Sequence, residues 1–158
     1  MLKKCCDLLE LKNLKIAFIE SASSGYLSSQ FSIYKNSGAE ILLGGLVSYD
    51  PSIKIDILNI DAELIEKYTA ESAEITEVMA IHGKKLFTQA DIVVACTGLL
   101  KPGGSATKTK PEGTFFISIL YLNKTHNFHY FINGTPLHRL SVLTHYIAVE
   151  IIQLINRA

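Results

Sequence analysis

The segment Asp91-Ile92-Val93-Val94-Ala95-Cys96 is an almost unbroken apolar run that enters Thr97-Gly98, and no other feature limits the fold of this chain so strongly. A short, β-branched run without polar alternation reads as a strand covered on both faces. Lys15-Ile16-Ala17-Phe18-Ile19 is a second run of this kind, which leaves Glu20-Ser21 at a strand's C-terminal end. The cover has to come from helices, and helical spacing surrounds both runs. An amphipathic N-terminal helix closes at Leu8 to Leu11. Ser23 and Ser24 suit the N-cap of a helix reaching about Tyr34, after which Ser37-Gly38 breaks the pattern.

Further along, Ile41 to Tyr49 reads as a strand interrupted by Gly44-Gly45, and Asp50-Pro51 as an N-cap and first helical residue of a helix to about Leu58. Asp61 to Tyr68 and Ala70 to Gln89 have helical spacing, the second with Ile75, Val78, Met79, Ile81 and Leu86 turned toward a sheet. Thr114 to Leu122 and Phe128 to Ile132 form an expected antiparallel pair around Asn123 to His126, and a last helix runs from about Pro136 to Ile155. Alternating helices and strands predict an α/β fold, a three-layer α/β/α sandwich with a mixed central sheet, occupying residues 1–158 as one domain.

With 158 residues, 48% of them hydrophobic, such a domain can bury a core. Fifteen basic and fifteen acidic residues give zero formal charge, so no general field attracts nucleic acid or an anionic membrane. The apolar runs fall short of the roughly 20 residues that cross a bilayer, and the N-terminus has no apolar stretch of signal-peptide length. Three cysteines, two of them adjacent, suit a reducing compartment, and the expected location is the cytoplasm. Five scattered histidines show no metal-ligand spacing, so no metal site is expected. Ile147, Ile151 and Leu154 on the last helix suit a subunit contact as well as a core, and a homo-oligomer is the expectation.

Ligand sites in open α/β sheets gather beyond the C-terminal ends of strands, where three loops leave here: Glu20 to Gly25, Tyr49 to Lys54 and Thr97 to Thr114. Ser21, at a strand-to-helix turn, is placed to attack a carbonyl beside free helix amides. Spacing alone equally makes Ser21, Ser23 and Ser24 caps and turn formers, and favours that role. Lys54 lies in the first turn of its helix, where the macrodipole opposes an ammonium charge and partial burial would make the amine a base. Tyr49 would relay the proton; an ordinary solvated lysine and a packing tyrosine fit the same positions. In the third loop Gly98, Gly103, Gly104 and Ser105 with Lys108 and Lys110 suit either an anion site or a flexible solvated loop, without the endings of a nucleotide or dinucleotide loop.

Taken in order, Glu20-Ser21 before a small-residue turn, Gly45-Leu46-Val47-Ser48-Tyr49 with Lys54 following, Thr97-Gly98 before Pro102-Gly103-Gly104, and Lys110-Pro111-Glu112-Gly113-Thr114 resemble the CinA C-terminal domain family. That family includes nicotinamide-nucleotide amidohydrolases. The resemblance implies deamidation of nicotinamide mononucleotide to nicotinate mononucleotide and ammonia, without metal or cofactor, by a Ser/Lys pair assisted by tyrosine: Ser21, Lys54 and Tyr49. It places substrate contacts at Glu20, Ser23 and Gly25 in the first turn and at Gly45 in the second strand. Others fall at Thr97, Gly98, Gly103, Gly104, Ser105 and Thr114 around the glycine-rich loop, with Arg139 beyond.

The family's usual Glu-Ser-Cys-Thr-Gly-Gly is here Glu20-Ser21-Ala22-Ser23-Ser24-Gly25, and its C-terminal Gly-Asp-Arg is replaced by Gly134-Thr135-Pro136 with Arg139 alone. These departures leave open a Ser/Lys hydrolase of another small amide, or a non-catalytic ligand-binding relative. The additional N-terminal domain of longer family members has no counterpart in these motifs, so a stand-alone hydrolase is the expectation.

Overall fold

The computed structural model describes residues 1–35 and 37–158. Its elements are α1 (Leu2–Leu11), β1 (Ile16–Glu20), α2 (Tyr26–Ile33), β2 (Leu42–Val47), α3 (Pro51–Asp56), α4 (Ala62–Tyr68), α5 (Ala73–Leu86), β3 (Ile92–Gly98), β4 (Thr114–Tyr121), β5 (Lys124–Phe131) and α6 (Pro136–Arg157). The strands form one mixed sheet in the order β2-β1-β3-β4-β5. β1 is parallel to β2 and β3, and the β3-β4 and β4-β5 pairs are antiparallel.

Successive strand residues point to opposite faces, and both faces are covered. Ile16 and Phe18 of β1, Val94 of β3 and Ile117 and Ile119 of β4 pack with Leu9, Phe31, Leu143 and Ile147 from α1, α2 and α6. Ala17, Ile19, Val93 and Ala95 pack on the other side against Leu58, Ile75 and Met79. The double cover is the reason β1 and β3 are apolar at nearly every position. Helix α5 approaches β1 so closely that a Cβ on Gly83 would lie 2.4 Å from Ile19 Cγ1. Gly83→Ala is therefore expected to lower stability by about 1–3 kcal/mol, as overpacking of a filled interface does. Thermal unfolding measures it, and an unchanged midpoint would contradict this packing.

Several boundaries differ from those expected. Helix α2 begins at Tyr26, with Gly25 at its N-cap in a left-handed conformation and no side-chain cap from Ser23 or Ser24. Strand β5 begins at Lys124, because Leu122 and Asn123, both at positive φ, form a two-residue turn. Its first residues read as loop because an edge strand with one solvated face need not be apolar. Ile147 and Ile151 are fully buried in the α1-facing core, whereas Leu154 packs against that core and stays partly exposed. No helix among the described residues is long and apolar enough to cross a membrane.

Candidate active site

β1 connects outward to β2 and its parallel neighbour β3 connects outward to β4, so the connections of these two adjacent strands leave in opposite directions. A crevice opens outside the strand ends at such a switch point. Here it is a cleft of about 260 Å3 lined by Ser21 and Ala22 after β1, Tyr49 after β2, Glu71 before α5, and Gly98 to Gly104 after β3.

The end of β1 is tied on both sides. Ser21 N donates to Cys96 O at 3.0 Å, and Ser48 N donates to Glu20 O at 2.7 Å. Asp50 then caps α3 by accepting from Ser52 N at 2.8 Å, with Pro51 at the first helical position. That short helix sends Lys54 back beneath the strand ends, where its side chain is completely buried. Lys54 Nζ lies 2.9 Å from Ser21 Oγ and donates to Ser48 O at 2.5 Å. Burial pushes the Lys54 amine below the ordinary lysine range, while the charges of Glu71 and Asp50 act in the opposite sense. α3 is only six residues long, so removal from water, rather than the helix dipole, is the principal cause.

A neutral amine in this position donates to Ser48 O and accepts the Ser21 hydroxyl proton, which is the arrangement of a nucleophile and its base. Ser21 lines the cleft. Cys96, deeper in the same region, is held inert by burial, which pushes its thiol up to about 12.

The other expected site residues divide. Gly98, Gly103 and Gly104 line the cleft. Tyr49 lines it too, but is 55% exposed and makes no hydrogen bond to Ser21 or Lys54. The amine reaches the hydroxyl directly, so the expected proton relay has no gap to fill.

Glu20 is not a cleft residue. It is 1% exposed, and its carboxylate accepts from Gly25 N, Leu27 N and Ser28 N at 2.7–3.0 Å and from Ser28 Oγ at 2.7 Å. The first amides of α2, expected to hold an anion, are occupied by the protein's own carboxylate. Gly45 is a packing position, since a Cβ there would lie 2.4 Å from Ser28 Oγ. Gly25 supplies the left-handed turn into α2 beside Val47. Ser23 is buried outside the cleft lining, with its hydroxyl beside the Cys96 thiol.

Thr97 Oγ1 pairs with Thr76 Oγ1 at 2.8 Å, tying β3 to α5, and Thr114 is buried at the start of β4, where its carbonyl accepts from Leu99 N. Arg139 binds Ile132 O, Leu100 O and Glu112 Oε1 at 3.0, 2.8 and 2.5 Å, so it braces the loop instead of facing a ligand. Ser105 donates to Glu71 Oε2 at 2.6 Å and accepts from Lys110 Nζ at 2.9 Å.

Glu71 was missed. It belongs to no motif, and only the turn before α5 brings it beside Ser21. No group of three or more His, Cys, Asp or Glu among the described residues converges to hold a metal.

The CinA C-terminal domain family model matches residues 1–154. A CinA-like protein of Thermotoga neapolitana is 35% identical over 116 residues, 73% of this chain and 28% of that protein. One of Mycolicibacterium gilvum is 39% identical over 110 residues, 70% of this chain and 25% of that protein. The chain thus spans between a quarter and a third of the length of these curated relatives. Among solved structures, a competence or damage-inducible protein from Enterobacter asburiae superposes with a TM-score of 0.86 at 25% identity, covering 97% of this chain and 95% of that one. A CinA superfamily protein from Klebsiella pneumoniae reaches 0.90 at 18% identity, over 99% and 97% of the two chains, which speaks for the fold alone. By the extent of the family match and the agreement in architecture, the chain belongs to the CinA C-terminal domain family.

Proposed function

We propose that this domain hydrolyses a carboxamide and that its substrate is nicotinamide mononucleotide. The observation that carries the reading is the buried 2.9 Å contact between Lys54 Nζ and Ser21 Oγ at the wall of an open cleft. Ser21 Oγ attacks the carboxamide carbon as Lys54 takes its proton. The amide of Ala22, which lines the cleft and donates to no acceptor among the described residues, is the backbone donor at hand for the oxyanion. Collapse breaks the C–N bond, Lys54 returns the proton to the leaving nitrogen, and ammonia departs. Water, deprotonated by the same amine, then opens the acyl-serine and releases the acid. Tyr49 at the rim suits contact with the substrate ring better than proton transfer.

The test is ammonia release from nicotinamide mononucleotide by the purified protein. Ser21→Ala is expected to lower it by about three orders of magnitude or more, as loss of a catalytic nucleophile does. No release by the unaltered protein, or undiminished release by the variant, rejects the reading. Engagement of Arg139 by Glu112 and two carbonyls favours a second reading, in which the same pair acts on a small amide lacking a phosphate. Phosphate-free amides assayed in parallel separate the two.

A further inference from the structure

We propose that Glu71 is a specificity-determining residue that selects amides carried on a cationic ring; the inference rests on the amidohydrolase reading above. Glu71 and Lys101 are the charged residues of the cleft lining. The Glu71 side chain is fixed before any ligand arrives. Its Oε2 accepts from Ser105 Oγ at 2.6 Å, and Ser105 Oγ in turn accepts from Lys110 Nζ at 2.9 Å. Lys110 gives its remaining two protons to Thr69 Oγ1 at 2.8 Å and Glu71 O at 2.7 Å, which pins the backbone of the same residue. Lys110 is thereby spent on the scaffold and is not available to a ligand phosphate.

Glu71 Oε1, by contrast, has no donor among the described residues, and it lies 3.8 Å from the position a Cβ on Gly104 would take. A rigid, half-buried carboxylate with one oxygen free of protein donors, in a cleft where the nearby amine of Lys54 resists charging, is complementary to a cation brought by the substrate. Lys101, exposed on the same lining and without an ion-pair partner among the described residues, supplies the opposite sign for a distal anion. The cleft thus has the polarity of a zwitterion.

The charge of Glu71 also bears on the base. By itself it favours a proton on Lys54, against the needs of the reaction. A cationic ring beside Glu71 offsets that charge, so the substrate that Glu71 selects also releases Lys54 to act. An uncharged amide would bind without this effect.

The experiment compares nicotinamide mononucleotide with 1,4-dihydronicotinamide mononucleotide, which keeps the carboxamide, ribose and phosphate but has a neutral ring. Binding of each to the full chain carrying Ser21→Ala, which cannot turn over, is measured by calorimetry. The cationic ligand is expected to bind about tenfold or more tightly, the order of a desolvated charge contact. Adding Glu71→Gln, which retains an acceptor for Ser105, is expected to bring the two affinities within about threefold. A purely structural role for Glu71 would weaken both ligands together and leave their ratio unchanged, and that result overturns the proposal. Equal binding with Glu71 intact overturns it as well while leaving the mononucleotide reading in place. Failure of nicotinamide mononucleotide itself to bind overturns that reading and this one with it.

Discussion

Replacing Lys54 with methionine is expected to lower amide hydrolysis by about three orders of magnitude or more while changing the stability of the fold by no more than about 1 kcal/mol. The chemical loss follows because the hydroxyl of Ser21 is a poor nucleophile unless a base takes its proton, and Lys54 Nζ is the basic group within hydrogen-bond reach. The small stability change follows from two opposed terms. Methionine abandons the bond to Ser48 O, and an unpaired buried carbonyl costs about 1–3 kcal/mol. It also removes an amine that burial makes reluctant to hold its charge, and relief of that desolvation is of comparable size. Ammonia release and thermal unfolding of the same preparation read the two effects. A well-folded Lys54→Met protein with undiminished turnover would remove the lysine from the mechanism.

The pH dependence carries the same signature. The proposed mechanism needs the unprotonated amine, so kcat/KM is expected to rise with pH and level off below the ordinary lysine value of 10.5. Stability shifts in the same direction. The native-state value is depressed relative to the unfolded chain, so the cost of burying Lys54 is complete below the native value. It shrinks as pH rises from there and is gone above about 10.5. Lys54→Met should abolish that part of the dependence. Glu71→Gln should instead move the acid limb of kcat/KM to lower pH, because it removes a charge that favours the ammonium form.

What could be foreseen depended on whether a residue's role is set by its neighbours in sequence or by distant ones. Strands β1 and β3 were legible because cover on both faces forces apolar side chains at nearly every position, and Asp50-Pro51 announced α3 through local capping chemistry alone. The juxtaposition of Ser21 with Lys54 was reachable because strand ends at one switch point converge. Glu20 was misassigned for the opposite reason. A carboxylate next to a nucleophile suits a ligand as well as it suits a helix, and only the path of α2 decides that three amides reach it first. Arg139 and Lys110 likewise looked like free cations until the folded loop gave each of them carbonyl or hydroxyl partners. Glu71 had no local mark at all: its nearness to Ser21 is made by packing of α5 on the sheet.

Glu20→Ala is expected to be the most destabilising of these substitutions, lowering the unfolding free energy by about 3–5 kcal/mol through loss of a buried helix cap and its charge-assisted bonds. The carboxylate accepts four hydrogen bonds, three of them from backbone amides at the start of α2, where no other side chain caps the helix. Alanine leaves those donors without an acceptor, the Leu27 amide away from water and the other two half-buried, and takes the acceptor from the Ser28 hydroxyl packed against Gly45 of β2. At roughly 2–4 °C per kcal/mol for a domain of this size, the midpoint should fall by about 10 °C. Glu20→Gln distinguishes capping from substrate contact. Glutamine keeps one acceptor but turns an NH2 group toward amides that are themselves donors, so it should still lose about 2 kcal/mol. If Glu20 acted on the substrate instead, glutamine would raise KM and leave the midpoint in place. A midpoint within about 2 °C of the unaltered protein for both variants would remove the Glu20 carboxylate from the scaffold that joins β1 to α2.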